Sequence, residues 1–296
     1  MEGAARPMAD GAAPGCAPNR LDRWHDAMED ALSGAVDRFD RLFGDRRLED
    51  EDGGTRLAVT VGLRADAEEG ATLENRVRLR IALPNLERRL LLIFEDDESE
   101  SADASLKTIV DTVREARPLA GLRLALLPLG KARISLDAGV RLGGDPQIVT
   151  RGRLSLVKTF HDWERRLTQT AAWYSADGWT TTAEARWTRR LGEELLFRAT
   201  TTVGWRETQN GVTPSQSFDL LRAVGTVRGH RWTARGEWPE TPSCERARYV
   251  VEYTYRRRLH RDWLYGEIAV GVDFAQERNY EPNPLAALRL EIVFGD

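Results

Sequence analysis

The stretch Arg133-Ile134-Ser135-Leu136-Asp137-Ala138-Gly139-Val140-Arg141 decides the fold. Apolar and polar residues alternate along it without a break. Successive side chains of a β-strand leave opposite faces, so this segment presents one face to an apolar medium and one to a polar medium. The same period of two runs through Leu57, Val59, Val61 and Leu63, set against Arg56, Ala58, Thr60, Gly62 and Arg64. It returns in Val77, Leu79, Ile81 and Leu83 against Arg76, Arg78 and Arg80. Aromatic residues carry it later, as Trp232, Ala234, Gly236 and Trp238 and then Tyr249, Val251, Tyr253 and Tyr255. Leu288, Leu290, Ile292 and Phe294 close the series.

Read this way, residues 55–296 hold about fourteen strands, with twelve as the alternative count. They lie near 55–65, 72–83, 88–96, 120–128, 131–142, 149–160, 164–175, 179–190, 194–206, 215–228, 231–238, 246–258, 263–274 and 285–295. The segments at 88–96, 164–175 and 215–228 alternate less cleanly. A tilted strand crosses a bilayer in about 9–11 residues, which is the common length here. Connections after even-numbered strands are expected to be short, as at Asn85-Leu86-Glu87, Gly130, His161-Asp162-Trp163, Leu191-Gly192-Glu193, Gly229-His230 and His260-Arg261-Asp262. Those after odd-numbered strands are expected to be mostly longer and polar, as at 97–119 and 275–284. Tight turns at one end and loose loops at the other mark an all-β, closed antiparallel transmembrane β-barrel. An even strand count puts both ends of the barrel segment on the short-turn side. A soluble sandwich would bury the same alternating faces, but it would show longer Greek-key connections and less uniform strands.

Mean hydropathy is −0.48, and the longest apolar runs are Leu90–Phe94 and Leu124–Pro128. A membrane helix needs roughly 18–20 apolar residues, so a helical membrane protein is excluded while a barrel, whose alternating strands average out as polar, is not. Charge is unevenly spread: residues 1–54 hold 7 Arg and 13 acidic residues, a net charge of −6, ahead of a nearly neutral body. Within that segment, residues 1–19 are rich in Ala, Gly and Pro and are expected to be disordered. Residues 20–54 read as an amphipathic helix over 20–44, with Trp24, Met28, Leu32, Val36 and Phe39 on one face, and then an acidic linker. On the barrel topology that helix would be periplasmic. No part of the chain is strongly basic, so nucleic acid is not an expected partner. Cys16 and Cys244 form no metal or redox motif, and no cofactor or metal is expected. No secretory signal is recognisable at the start of the sequence.

Tryptophans gather near the expected strand ends: Trp163, Trp173, Trp179, Trp187, Trp205, Trp232, Trp238 and Trp263. Amphipathic rings favour the two bilayer interfaces, so these side chains and Phe294 are the candidate interface anchors. The final strand, ending in Phe294, resembles the C-terminal signature of bacterial outer-membrane barrels that the barrel-assembly machinery reads. The chain also resembles an uncharacterised family of bacterial outer-membrane β-barrel proteins. The resemblance rests on Phe43-Gly44-Asp45-Arg46-Arg47-Leu48-Glu49-Asp50-Glu51, Ile81-Ala82-Leu83-Pro84-Asn85-Leu86-Glu87-Arg88-Arg89-Leu90 and Arg258-Leu259-His260-Arg261-Asp262-Trp263-Leu264. It implies the barrel fold and export to the outer membrane, with lipid and the assembly machinery as partners, and it implies no activity.

The polar phase of the strands gives the candidate lumen. On the early strands it is basic: Arg76, Arg78, Arg80, Arg133, Arg141 and Arg153, with Asp137 nearly alone against them. From the eighth strand on the signs mix, through Glu184, Arg186, Arg198, Arg235, Glu237, Arg248, Glu252, Glu267, Asp273, Arg289 and Glu291. A basic wall facing a mixed wall sets up a transverse field that selects solutes; the bland alternative is a ladder of ion pairs that closes the interior. His161, His230 and His260 fall in expected turns beside Trp or Arg and read as architecture rather than as metal ligands or bases. No nucleophile–base pattern and no phosphate-cradling glycine loop is visible, so an enzyme is not expected. The sequence therefore points to a monomeric passive channel for small hydrophilic solutes with a weak preference for anions. The alternative is a non-conducting structural or assembly barrel whose periplasmic helix binds a partner. A third idea is that the acidic segment docks at the mouth of the basic lumen.

Overall fold

The computed structural model describes residues 56–68, 70–82, 90–96, 118–125, 132–142, 145–209, 211–239, 246–261 and 263–294. The expected disordered tail, amphipathic helix and acidic linker lie outside the described residues, as does the loop at 97–117.

Fourteen strands follow in order: β1 (Arg56–Asp66), β2 (Gly70–Ala82), β3 (Leu90–Asp96), β4 (Pro118–Ala125), β5 (Ala132–Arg141), β6 (Gln147–Phe160), β7 (Trp163–Tyr174), β8 (Gly178–Arg190), β9 (Leu195–Arg206), β10 (Val212–Val224), β11 (Arg228–Glu237), β12 (Arg248–His260), β13 (Leu264–Ala275) and β14 (Pro282–Phe294). Each pairs antiparallel with its sequence neighbours. β1 pairs with β14 from Leu57↔Phe294 to Asp66↔Leu285, which closes the sheet. Closure leaves no strand edge for another chain to extend.

The polarity of the two faces is inverted relative to a soluble fold. The apolar parity points outward: Leu63 is 52% exposed, Leu167 52% and Leu288 59%. The charged parity points inward, where Asp137 is 6% exposed and Arg198 1%. A sandwich would bury the first set and solvate the second. An apolar outside around a charged inside is stable only with hydrocarbon around it.

Aromatic rings mark both ends of the wall. Phe160 pairs with Trp163 at one end of β6–β7, and Trp173 pairs with Trp179 at the other end of β7–β8. Between Trp163 and Trp173, roughly ten residues at ~3.3 Å rise, tilted about 40°, span about 25 Å, the height of an outer-membrane apolar band. Trp187 and Trp232 lie on outward positions near the first end, Trp205 near the second. Trp238 follows the last residue of β11 and donates its indole N–H to the Tyr249 hydroxyl at 3.2 Å. Trp263 sits just before β13 on the rim, 40% exposed, with its carbonyl bonded to the Val293 amide. Phe294 is on the outward parity of β14 and 52% exposed.

Two details of the sequence reading are corrected. The turn expected at Gly229-His230 lies at 225–227, where Gly225 adopts φ 63°, the left-handed conformation that glycine takes without penalty. Gly229 and His230 are strand residues of β11, paired with Ala223 and Arg222. The contrast between short and long connections is also less regular than expected. β1–β2 and β7–β8 are joined by tight turns on the supposedly long-loop side, each followed by a glycine at positive φ, Gly70 at 76° and Gly178 at 73°. On the other side, β2 and β3 are separated by residues 83–89, more than Asn85–Glu87.

One close approach depends on glycine. Gly121 of β4 and Gly139 of β5 face each other across the ladder. A Cβ on Gly121 would stand 2.6 Å from the Ala138 carbonyl oxygen and 2.8 Å from the Gly139 Cα. Backbone on both sides cannot yield, so a side chain here must push the strands apart. Gly121→Val is expected to destabilise the barrel by about 1–3 kcal/mol, the usual cost of overpacking. The measurement is the temperature at which the compact gel band of the folded barrel converts to the slow-migrating unfolded form.

Candidate functional site: the charged lumen

Pairing and burial together fix which residues look into the barrel. Arg76, Arg78 and Arg80 lie on the inward parity of β2, Arg133, Asp137 and Arg141 on that of β5, and Arg153 on that of β6. Glu184 and Arg186 share it on β8, Arg198 on β9, and Arg235 and Glu237 on β11. Arg248 and Glu252 occupy it on β12, Glu267 and Asp273 on β13, and Arg289 and Glu291 on β14.

The early wall is not held by Asp137 alone, as the sequence suggested. Glu95, on the inward parity of β3, completes a buried quartet with Arg123 of β4, Asp137 of β5 and Arg151 of β6. Asp137 accepts Arg123 Nε at 2.8 Å and Nη2 at 2.9 Å, and Arg151 Nε at 2.9 Å. Glu95 Oε1 accepts Arg123 Nη2 at 3.0 Å and Arg151 Nη2 at 2.8 Å. Two guanidiniums and two carboxylates thus neutralise each other across four consecutive strands, each buried. Planar guanidinium forks suit such shared geometry, which lysine could not reproduce.

A second network wraps the seam where the sheet closes. Arg289 of β14 donates Nη1 to Glu267 at 2.7 Å and Nε to Glu74 of β2 at 2.9 Å. To reach Glu74 it crosses β1 at Gly62, where a Cβ would lie 2.9 Å from Arg289 Cγ. Glycine at that position therefore opens the path that ties β14 to β2. Arg256 of β12 pairs with Glu291 and, at 3.5 Å, with Glu267. Nearby, Arg231 approaches Glu252 at 3.8 Å, and Thr254 donates its hydroxyl to Glu252 at 2.8 Å.

Further networks sit toward the end that carries the β13–β14 connection. Asp273 takes Arg248 Nε at 2.6 Å and Nη2 at 2.8 Å. Arg278, in the 3-10 turn Gln276–Arg278, donates to Asp273 at 2.6 Å and to Glu68 at 2.9 Å. Arg141 pairs with Asp177, donates to Gln147 Oε1 at 2.6 Å and lies 4.5 Å over the Tyr174 ring. Arg235 pairs with Glu237 on β11 at the same end, while Arg186 pairs with Glu184 at 2.9 Å beyond the middle of β8.

Two sides of the interior are apolar instead. Ile93, Leu119, Val149, Ala172 and Tyr174 form one buried cluster, and Val250, Ala269, Leu285 and Ala287 form another. Alternation alone did not flag either, because inward apolar residues interrupt the period.

Arg78 and Arg80 stand apart. Arg78 lies within electrostatic reach of Glu291, and Arg80 of Glu95 and Arg123, yet neither makes an ion pair with a described residue. Arg56, Arg123 and Arg153 add like charge around Arg80, so this part of β2 is strongly cationic. Chemically, the arrangement offers fixed charge and hydrogen-bonding capacity rather than a reactive group. The histidines fit the same picture. His161 occupies a turn at φ 53°, and His260 packs edge-on against Trp263 at 5.4 Å. His230, no longer a turn residue, faces outward, hydrogen-bonds the Tyr253 hydroxyl at 2.8 Å and stacks on Trp232 at 6.0 Å. Among the described residues no three His, Cys, Asp or Glu converge on a metal-sized site.

A closed antiparallel barrel of fourteen strands, apolar outside and charged inside, belongs to the architectural class of membrane β-barrels. Comparison with solved structures places it beside outer-membrane proteins. OprB of Pseudomonas putida is 10% identical, with 85% of this chain and 97% of that one covered and a TM-score of 0.54. A loop L8 deletion mutant of OmpT, an outer membrane protein of Vibrio cholerae, is 9% identical over 82% of this chain and 100% of that one, with a TM-score of 0.51. At such identities the likeness establishes the fold. No family model and no curated protein matches the chain.

Proposed function

We propose that the protein is a bacterial outer-membrane barrel that passes small hydrophilic solutes by diffusion, with a weak preference for anions. The observation that carries this reading is the inverted polarity of a fully closed fourteen-strand sheet: Leu and Val outward, Arg and Glu inward. A barrel of this size encloses more room than an eight-strand one, whose side chains just fill it. Lumen charge then tunes which solutes pass. The anion preference is supported by Arg78 and Arg80, and by the arginine-rich inward faces of β1–β6. Membrane lipid surrounds the wall, and the final strand ending in Phe294 serves as the handle for the assembly machinery. The mechanism needs no bond making or breaking, so the reading is not enzymatic.

A second reading rests on a specific observation: the charged residues of the quartet, and Arg256 and Glu291 at the seam, are almost fully buried. Packed ion pairs can close a lumen, and the barrel then anchors the acidic N-terminal segment for a periplasmic partner. Single-channel recording in a planar bilayer separates the two. Protein shown to be folded by its heat-dependent gel shift is expected to give discrete conductance steps. Silence from folded, inserted barrels overturns the channel and leaves the anchor.

A further inference from the structure

The outward wall is not uniformly oily. On β1, β2, β4, β5, β13 and β14 the position midway between the aromatic rings is bulky and apolar: Val61, Val77, Leu122, Leu136, Ile268 and Leu288. From β6 to β10 a row of small or polar residues crosses the wall among Leu154, Leu167 and Val203. Gly152 pairs with Ala171, Ala171 with Thr181, Gln169 with Ala183, Ala185 with Thr201, and Thr201 with Gln216. All eight positions lie on the outward parity, and Ala183 stands midway between Trp179 and Trp187. An amide facing hydrocarbon at the middle of a bilayer is costly, because lipid offers it no hydrogen-bond partner.

The amides are partly satisfied, and what remains is complementary. Gln169 Nε2 donates to Thr181 Oγ1 at 2.6 Å and to the Thr170 carbonyl at 3.3 Å, which uses both of its hydrogens. Its Oε1 carries no bond to a described residue and the side chain is exposed. Gln216 Oε1 accepts the Thr201 hydroxyl at 2.6 Å, and Nε2 donates once, to the Ser217 carbonyl at 3.1 Å. One patch thus offers an open acceptor on β7 and a spare donor on β10. A two-fold axis through the β8–β9 seam brings the acceptor of each copy to the donor of the other, the reciprocal matching that a symmetric contact requires.

We propose that this wall is a contact between two copies of the chain in the membrane, with the glutamines flanking its axis. The inference rests on the membrane placement above and is independent of conduction. Small side chains let two convex walls approach closely, as they do where membrane helices pack. The four strands β7–β10 at ~4.8 Å by about 25 Å of height give ~480 Å² per copy, so a pair comes near the ~1,000 Å² total of a specific interface. A second copy is favoured over a foreign partner because the patch completes its own hydrogen bonding.

The test uses the full chain reconstituted alone in lipid nanodiscs. Cys16→Ser and Cys244→Ser provide the background, Ala185→Cys places a thiol near the axis, and Val61→Cys serves as the control on a distant wall. A short bifunctional maleimide is expected to convert most of the A185C chain to twice its mass and to leave the V61C chain single. Ala183→Trp, compatible with lipid but too large for the seam, is expected to abolish the doubled band while keeping the heat-dependent gel shift of a folded barrel. Single bands from both thiol variants, or equal doubling of both, overturn the inference. So does a Trp variant that still pairs. Failure to enter nanodiscs at all sinks the membrane reading instead, and the two failures are told apart by that step.

Discussion

Asp137→Ala is expected to destabilise the folded barrel by about 3–5 kcal/mol, the cost of leaving a buried partner charge uncompensated. Asp137 accepts three hydrogen bonds, two from Arg123 and one from Arg151. Removing it leaves both guanidiniums sharing Glu95 Oε1. Those cations are taken out of water by the wall itself, so neither solvent nor a rotamer change replaces the lost carboxylate. Asp137→Asn keeps an acceptor but not the charge, and the expected loss is smaller, about 1–3 kcal/mol. The coupling is checked by a double-mutant cycle: Asp137→Ala in an Arg123→Met background costs less than in the native chain, because one of the stranded charges is already gone. The readout is the urea concentration at which the heat-dependent gel shift is lost. Additive losses would show that the quartet is four independent contacts rather than a unit.

The strand pattern was legible in the sequence because each strand has one apolar and one polar face, and that constraint leaves a period of two in the residues themselves. The strands read most clearly where the outward residues are bulky, as in β1, β5 and β14. β7 was harder to see, although its burial alternates almost perfectly from Trp163 to Tyr174. The reason lies on its outer face, where Gln169 and Ala171 stand in place of Leu or Val and weaken the signal. The irregularity that blurred the strand is the same one that marks the lateral contact. Glu95 was missed for a related reason. It follows the run Leu90-Leu91-Leu92-Ile93-Phe94, whose inward members are apolar and hide the phase. The networks themselves could not be read. Arg151 meets Glu95 three strands away, and Arg289 meets Glu74 across Gly62, contacts set by tilt and by a missing Cβ rather than by spacing. The register of β10 and β11 depended on which of two glycines turns, and only backbone geometry decides for Gly225.

Arg76→Glu, Arg78→Glu and Arg80→Glu together are expected to reverse the ion selectivity of the conducting barrel. The three side chains share the inward parity of one strand, and Arg78 and Arg80 lack an ion pair to a described residue, so no direct carboxylate contact cancels their field. Replacing three cations with three anions shifts the wall by roughly six charges. Field lines concentrate in a narrow charged passage with low-dielectric walls, where a change of 1–2 kcal/mol in ion energy alters a permeability ratio by about 5–30-fold. The check is the reversal potential in a potassium chloride gradient, which should change sign. Neutralisation to Gln at the same positions should bring it toward zero and stop there. Because Arg80 lies near Glu95 and Arg123, the single variant Arg80→Glu also disturbs the quartet, and its stability is the control. If the triple variant alters only the unfolding temperature and leaves the reversal potential where it was, solutes do not pass along β2, and the arginines there serve the wall rather than the pore.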